Sequence, residues 1–474
     1  MKNGKFFVSC VFLGFLLTAF VVRLQFITSD RLWPDEALYA SQAGEIGNNI
    51  SFLFSEEANQ FHGPLFSFFL SWGRSLFNSP LEGYRFIAIV FNWVGLWATF
   101  LLARELLGIK TAILSLAFLA FNRAYFNNAG FILIDSVLAG MQALFILSLY
   151  RMNRFSGRNA GIFLISGLLM IYLKWYAIIF VLSVSSAYCL FFVSRQYVKK
   201  TLECIITLGV FAIPVFIKIL GIVKSNGPAT FHATPWWAYF PLYLQISGGL
   251  LPLIFLVYGA FVLRIKRPGI FFLLMVWICA YLGVLSCVSE KDVRYLLPVF
   301  PCVAIMSGYG LKRAIGTFFN NILLRHSAFK MGVVLLLGAS LIGTMRVKHP
   351  DHDGYVGFFE AGEWIKNNSL TNTVIFAGSI RAIRLTAGIP TNRLKEHLGP
   401  LPQSLHDLKK AMAQAQSSIL EIDRWEYSQP AWAYPLTSEK AQVLESLTGA
   451  HLVKVIYKRI AGKRSAVVWL FSKM

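Results

Sequence analysis

The stretch Trp33-Pro34-Asp35-Glu36, with His62-Gly63-Pro64-Leu65 behind it, separates the first long apolar run of the chain (Phe6 to Phe26) from the second. A helix crosses a bilayer with about 20 apolar residues, and the first run is that long. Backbone groups in hydrocarbon must be satisfied within the segment, so a helix is the expected form. Two adjacent carboxylates just outside such a helix stand out. A carboxylate at a membrane face is costly to desolvate and marks a functional site unless something plainer accounts for it. The plainer account is a solvated acidic loop.

The same pattern repeats outward along the chain. Of its 474 residues, 56% are hydrophobic and 14% charged, where a soluble domain carries about a quarter charged residues. The sequence reads as a polytopic α-helical membrane protein with about eleven spans. Their centres lie near Phe15, Gly95, Leu116, Gln142, Gly167, Leu182, Phe211, Phe255, Trp277, Ala304 and Leu336. Basic residues cluster in alternate loops. Lys2 and Lys5 precede the first span, Arg104 and Lys110 follow the second, and Arg151, Arg154 and Arg158 follow the fourth. Arg195, Lys199 and Lys200 follow the sixth, Arg264, Lys266 and Arg267 the eighth, and Lys312, Arg313, Arg325 and Lys330 the tenth. All fall on one side, which the positive-inside rule makes cytoplasmic. The amino terminus is then inside and the segment after the last span outside. This rim accounts for much of the net charge of +21 and favours anionic membrane lipids, so no nucleic acid is implied. The first run reads as an uncleaved anchor, because Arg23 interrupts its end and no small-x-small cleavage site follows. The six cysteines lie in apolar runs, with no disulfide framework and no CxxC metal motif.

The outer loops are few. The first runs from Ile27 to Tyr84 and holds Asp35, Glu36, Glu45, Glu56, Glu57 and His62. Its stretch Pro64 to Phe77 reads as a helix lying in the interface. Asp135 opens the fourth span, and Lys174 breaks the junction of the fifth and sixth beside Trp175 and Tyr176. A loop from Val223 to Tyr239 holds Lys224, His232, Trp236 and Trp237, and Lys291, Arg294 and Tyr295 precede the tenth span. Each residue has an ordinary reading. Asp135 suits the first turn of a helix, Lys174 a snorkelling lysine, the tryptophans an aromatic belt, and His62 a turn. Their gathering at one expected face is what these readings leave unexplained.

Trp33-Pro34-Asp35-Glu36-Ala37-x-Tyr39-Ala40 is similar to the Asp-Glu first-loop motif of the GT-C glycosyltransferases. His62-Gly63-Pro64-Leu65, Tyr84-Arg85-Phe86 and Leu102-Ala103-Arg104-Glu105-Leu106-Leu107-Gly108 resemble the protein-mannosyltransferase-like branch, as does Ile134-Asp135-Ser136-Val137-Leu138-Ala139. Arg294-Tyr295-Leu296-Leu297-Pro298-Val299-Phe300-Pro301 matches a further family segment. The resemblance runs from Arg31 to Pro301 in the family's order and is specific as an ensemble. It implies a GT-C-like fold, a polyprenyl-phosphate-linked sugar donor, and inverting transfer on the non-cytoplasmic face; the residues themselves, with no Asp-x-Asp pair in the first loop, lead to an expectation of no cofactor. The relatives in view are the aminoarabinose and galacturonic acid transferases of lipid A and the protein O-mannosyltransferases. The implied setting is a bacterial inner membrane. The implied acceptor is a lipid or glycolipid of the lipid A type, with a protein as the alternative. The aminoarabinose transferases carry an acidic residue and a lysine where this chain has Phe61 and His62, which removes one metal ligand and alters the donor-phosphate contact.

A donor joined through C1 to a lipid phosphate needs an acceptor nucleophile and a stabilised leaving phosphate. Asp35 is the candidate base, because a positioned carboxylate assists proton removal in the transition state. Glu36 and Asp135 would orient the sugar or a basic partner. Arg294 and Lys291 would neutralise the departing phosphate, arginine gripping two oxygens, with His62, Lys174 and Tyr295 supporting them. Asp351-His352-Asp353, with His349 nearby, reads as a polar linker rather than a metal site.

Residues 1–345 thus read as a transmembrane catalytic domain that includes the outer loop 27–84, and 346–474 as a small extracytoplasmic α/β domain. In the latter, Gly362 to Lys366 and Leu405 to Gln416 read as helices. Thr373 to Ala377, Ser417 to Ile422, His451 to Lys458 and Ala466 to Phe471 read as strands. Its expected role is to cap the outer face and help admit an acceptor. A transporter or lipid-linked sugar flippase would also hold membrane charges, but commonly at mid-membrane and with internal repeats. Here the charges gather at one face and no repeat is visible. An envelope scaffold would leave the acids without a role.

Overall fold

The computed structural model describes residues 2–55, 58, 63–226, 250–286, 293–318, 327, 331–332, 355–369, 372–389, 398–425, 429–434, 436–460 and 463–473. The chain forms two compact units. The first gathers Met1–Ile27, Ser51–Gly73 and Arg85–Arg346; the second gathers Thr28–Ile50, Arg74–Tyr84 and Val347–Met474.

Helix α1 (Lys2–Arg23) belongs to the first unit and α2 (Pro34–Asn48) to the second. The first unit continues through α3 (Leu65–Ser71), α4 (Pro80–Leu107, whose first turn lies in the second unit), α5 (Ile109–Ala120), α6 (Arg123–Ala129) and α7 (Ile134–Arg151). Then come α8 (Gly157–Leu173), α9 (Ala177–Phe191), α10 (Arg195–Asn226), α11 (Leu250–Lys266), α12 (Pro268–Ser286) and α13 (Phe300–Phe318), the last preceded by a tight 3₁₀ stretch, Val293–Val299. Ten of the expected span centres fall inside these helices, and Leu336 lies outside the described residues. Among the described residues four helices are long and apolar enough to cross a membrane: Pro80–Leu107, Ile134–Arg154, Arg195–Lys218 and Arg294–Phe318. Shorter apolar helices pack with them, including Ile109–Ala120, which at 1.5 Å per residue covers about 18 Å.

Basic side chains hold the helix ends of this unit. Arg23 is fully buried. Its guanidinium donates to the carbonyls of Ala19 and Ala120, at 2.8 Å each. Terminal carbonyls of a helix lack intrahelical partners, and a cation there also meets the negative end of the macrodipole. Arg85 donates to the carbonyls of Phe26 (3.4 Å) and Ile27 (3.2 Å). Glu105 pairs with Arg151 at 3.3 Å, and Lys312 donates to the Leu107 carbonyl at 3.1 Å. The Tyr84-Arg85-Phe86 and Leu102–Gly108 motifs therefore contribute fasteners between elements.

The second unit is built on a mixed sheet. In chain order it holds α14 (Phe358–Asn368), β1 (Thr373–Ala377), α15 (Ile380–Ala387), β2 (Leu398–Pro400), α16 (Leu405–Gln414), β3 (Ser417–Asp423), α17 (Ser438–Thr448), β4 (His451–Ile460) and β5 (Lys463–Lys473). The sheet order is β2-β1-β3-β5-β4. β1 pairs parallel with β2 and β3, and β5 pairs antiparallel with β3 and β4. Every residue of β3 is buried, as expected of a strand covered on both faces. Leu408, Met412, Leu420, Ile422, Leu444 and Phe471 form the core on one side. On the other, α15 packs against both α14 and α2.

The first outer loop is less of a loop than expected. Residues 34–48 form α2, with Pro34 in its first turn beside Asp35 and Glu36. Proline is preorganised for a first turn and acids suit the positive helix end. Its start is anchored on the carboxy-terminal chain. The Leu32 amide donates to the Tyr355 carbonyl at 2.9 Å, Trp33 stacks on Tyr355 at 4.6 Å, and Tyr355 stacks on Trp425 at 5.9 Å.

Candidate active site

In the first unit, Asp135 and Lys174 meet. Asp135 lies in the first turn of α7, and Lys174 is the extended residue that closes α8. The two helix ends favour those charges. Lys174 Nζ donates to Asp135 Oδ1 at 2.5 Å, with the side chains 4% and 5% exposed. This is a buried pair, not a snorkelling surface lysine. Removing two charges from water is expensive, so close geometry and further hydrogen bonds are needed to offset it.

Tyrosines supply them. The Tyr176 hydroxyl donates to Asp135 Oδ1 at 3.4 Å and shares a 3.1 Å hydrogen bond with the Tyr281 hydroxyl. The Lys174 ammonium also lies over the rings of Tyr176 (4.8 Å) and Tyr295 (5.5 Å). Arg294 shares the second ring, with Cζ 5.1 Å from its centroid, and donates to the Tyr295 hydroxyl at 3.3 Å. Cation–π contact of this kind strengthens when desolvated. One platform, Tyr295, thus seats both cations, and Asp135, Lys174, Arg294 and Tyr295 come together from distant parts of the chain. Gly63 of the sequence motif reaches the same region. A β-carbon on Gly63 would collide with the Tyr172 carbonyl, two residues before Lys174, so only glycine allows this approach. His62 and Lys291 lie outside the described residues, as do Asp351-His352-Asp353, Trp236 and Trp237.

Asp35 and Glu36 belong to the second unit. Glu36 is fully buried. Asp35 pairs with Arg381 at 3.8 Å, the side chains 33% and 38% exposed, and Glu45 pairs with Arg384 at 3.1 Å. Both arginines stand on α15. The Glu421 carboxyl, on the neighbouring β3, is held well above the usual carboxylate range. Its burial is the main cause and the charge of Asp423 the second, opposed by backbone N–H groups of Ser379 and Gly378. Sequence reasoning missed Arg381, which looks like an ordinary surface residue of a short helix. It also missed Tyr281, an aromatic inside an apolar run whose hydroxyl finds its partner only through helix packing.

Over residues 61–220 the chain matches a family model described as dolichyl-phosphate-mannose-protein mannosyltransferase. No curated protein sequence matches it. Among solved structures it is similar to ArnT from Cupriavidus metallidurans at 14% identity, with 97% of each chain covered. The TM-score is 0.65 against the apo state and 0.67 against the form bound to undecaprenyl phosphate. The archaeal oligosaccharyltransferase AglB from Archaeoglobus fulgidus, solved with an inhibitory peptide and a dolichol-phosphate, is similar at 12% identity and a TM-score of 0.58. That match covers 96% of this chain and 74% of that one. The arabinofuranosyltransferase AftD from Mycobacteria is similar at 14% identity and a TM-score of 0.59, over 96% of this chain and 39% of that one. The fold is that of the GT-C glycosyltransferases, an integral membrane architecture with a small carboxy-terminal sheet domain, as the sequence motifs implied.

Proposed function

We propose that this chain is a membrane glycosyltransferase that moves a sugar from a polyprenyl-phosphate donor to an envelope acceptor. The observation that carries this reading is the seating of Lys174 and Arg294 on Tyr295 beside Asp135, within a fold shared along 97% of its length with ArnT bound to undecaprenyl phosphate. Among those three charged groups the cations outnumber the carboxylate. Such a cluster suits a lipid phosphate, in the bound donor and as the developing leaving group. Arg294 supplies a planar fork for two phosphate oxygens and Lys174 a point charge. Asp135 and the tyrosine hydroxyls hold Lys174 in position, while Lys291 and His62 are proposed as further phosphate contacts.

Asp35 takes the proton from the acceptor hydroxyl as the C1–oxygen bond forms and the C1–phosphate bond breaks, with inversion at C1. Glu36 orients the groups around it. The favoured acceptor is a glycolipid of the lipid A type, on the outer side of a bacterial inner membrane, with the carboxy-terminal unit extracytoplasmic. A protein acceptor is the second reading, favoured by the description of the family model that matches residues 61–220. Mass spectrometry of envelope lipids and glycoproteins, from cells with and without the gene, separates the two. Loss of a sugar mass from a glycolipid supports the first reading, and loss from a protein supports the second. Unchanged spectra in both fractions would contradict the transferase assignment.

A further inference from the structure

We infer that the cleft between α4, α7 and α8 holds one acyl chain of an anionic phospholipid, with the lipid phosphate among Arg151, Arg154 and Arg158. The cleft follows from the packing. Gly95 of α4 and Gly140 of α7 meet backbone to backbone, so that a β-carbon on Gly95 would lie 2.8 Å from the Gly140 Cα. Small residues let helices in lipid approach this closely. Beside that crossing the helices leave a cavity of about 280 Å³. Phe91 and Leu101 of α4, Met141 and Leu144 of α7 and Ile162 of α8 are among its walls. Its α4 wall runs out to the surface, where Val94 is 38% exposed and Trp97 46%, so a chain can enter sideways from the bilayer.

Its length selects the tail. Along α7 the cleft runs from Val137 to Ser148, about 16 Å at 1.5 Å per residue. That is about half of the ~30 Å hydrocarbon thickness of a bilayer, the depth of one leaflet. Arg151 borders the cleft less than one turn beyond Ser148, where headgroups begin.

Its charges select the headgroup. The lining is apolar except at that end, where Ser148, Arg151 and Asn159 stand. The Ser148 hydroxyl is engaged, donating to the Phe145 carbonyl at 2.7 Å. Asn159 Nδ2 donates to the carbonyls of Arg151 (3.2 Å) and Arg154 (2.9 Å). The second bond ties the Arg154 backbone to the rim of the cleft, and Arg158 is the chain neighbour of Asn159. Arg154 and Arg158 are exposed, and Arg151 partly so. Glu105 pairs with Arg151 at 3.3 Å, so the three arginines outweigh the carboxylate beside them. That surplus suits an anionic headgroup, whose phosphate oxygens a guanidinium grips in pairs. The positive-inside rule gives this end to the cytoplasmic leaflet, the one that carries anionic lipid. The candidate active site is elsewhere: Asp135 stands at the other end of α7, about 24 Å from Arg151 along the axis.

The test is native mass spectrometry of the full chain in detergent, titrated with phosphatidylglycerol or with phosphatidylcholine of the same acyl chains. The expected result is one retained phosphatidylglycerol per chain, with phosphatidylcholine held at least about tenfold more weakly. Arg154→Gln/Arg158→Gln should weaken phosphatidylglycerol at least about tenfold. Ala98→Phe, which fills the cleft, should abolish its retention. The two arginines are exposed, so their variant keeps the test decisive if Ala98→Phe fails to fold. Equal retention of the two lipids, unchanged retention by the arginine variant, or phosphatidylglycerol held by folded Ala98→Phe would each overturn the inference. A dimer of chains that Ala98→Phe abolishes would give the cleft to a second copy and overturn it too. So would retention lost in Arg294→Ala alone, which would seat the lipid at the candidate active site.

Discussion

Two acid–base pairs of this protein, Asp135–Lys174 and Asp35–Arg381, are built to opposite specifications. Asp135 and Lys174 are 2.5 Å apart and nearly inaccessible, at 5% and 4% exposure. Asp35 and Arg381 are 3.8 Å apart, with a third or more of each side chain in solvent. A buried pair that loses one member strands a charge in a poor solvent, so both must be kept in place. An exposed pair contributes little to stability and exchanges partners readily. In the proposed reaction the first pair suits a fixed electrostatic fixture and the second a proton acceptor that changes state in every cycle.

The largest effects should come from breaking the buried pair. Lys174→Gln or Asp135→Asn alone should cost about 3–5 kcal/mol of stability, read as a fall in unfolding temperature in detergent. The double variant Asp135→Asn/Lys174→Gln should recover most of that loss while transfer stays low. Singles as stable as the double would mean that the pair is not locked. Asp35→Asn should do the reverse. Stability should change by less than about 1 kcal/mol, while turnover falls at least about a hundredfold, the contribution of a positioned general base. A variant that loses stability and activity together would erase the contrast between the pairs.

Arg294 lies between these extremes. Arg294→Ala should lower turnover of folded protein about tenfold, equivalent to about 1.4 kcal/mol of transition-state stabilisation. Arg294→Lys should restore part of it, since lysine keeps the charge without the planar fork. If Arg294 only anchors its helix, membrane yield will change and specific activity will not.

The smallest effect is a pH dependence in the second unit. The folded Glu421 carboxyl titrates well above its usual range, chiefly through burial, whereas in the unfolded chain it titrates near its ordinary value of about 4.3. The folded state therefore holds the extra proton. Its stabilising contribution is complete below the unfolded value and is lost as pH rises through the folded one. Glu421→Gln should flatten the stability profile and raise the unfolding temperature at alkaline pH. An unchanged slope would show that Glu421 is ionised in the fold.

Much of this architecture was legible because lipid imposes simple rules. Twenty-residue apolar runs located ten helices of the first unit, and β-branched and apolar runs located β1, β3, β4 and β5. The α2 helix was hidden by its place between spans, although Pro34, the two following acids and the buried Glu36, Ala40 and Ala43 carried a helix signal. β2 spans only Leu398–Pro400, too short for any period to appear. The candidate acids and bases were singled out by their scarcity, their expected gathering at one face and the family resemblance. Their actual partners depend on tertiary packing: Tyr281 and Arg381 come from segments with no local mark of function.

The most direct test supplies the purified chain, in nanodiscs, with a synthetic polyprenyl-phosphate-linked sugar and an extracted lipid A acceptor. The expected result is glycosylated acceptor, inverted at the anomeric carbon, together with an equal amount of free polyprenyl phosphate. Movement of intact donor across the bilayer, with no bond broken and no polyprenyl phosphate released, would contradict the account and assign the chain to transport.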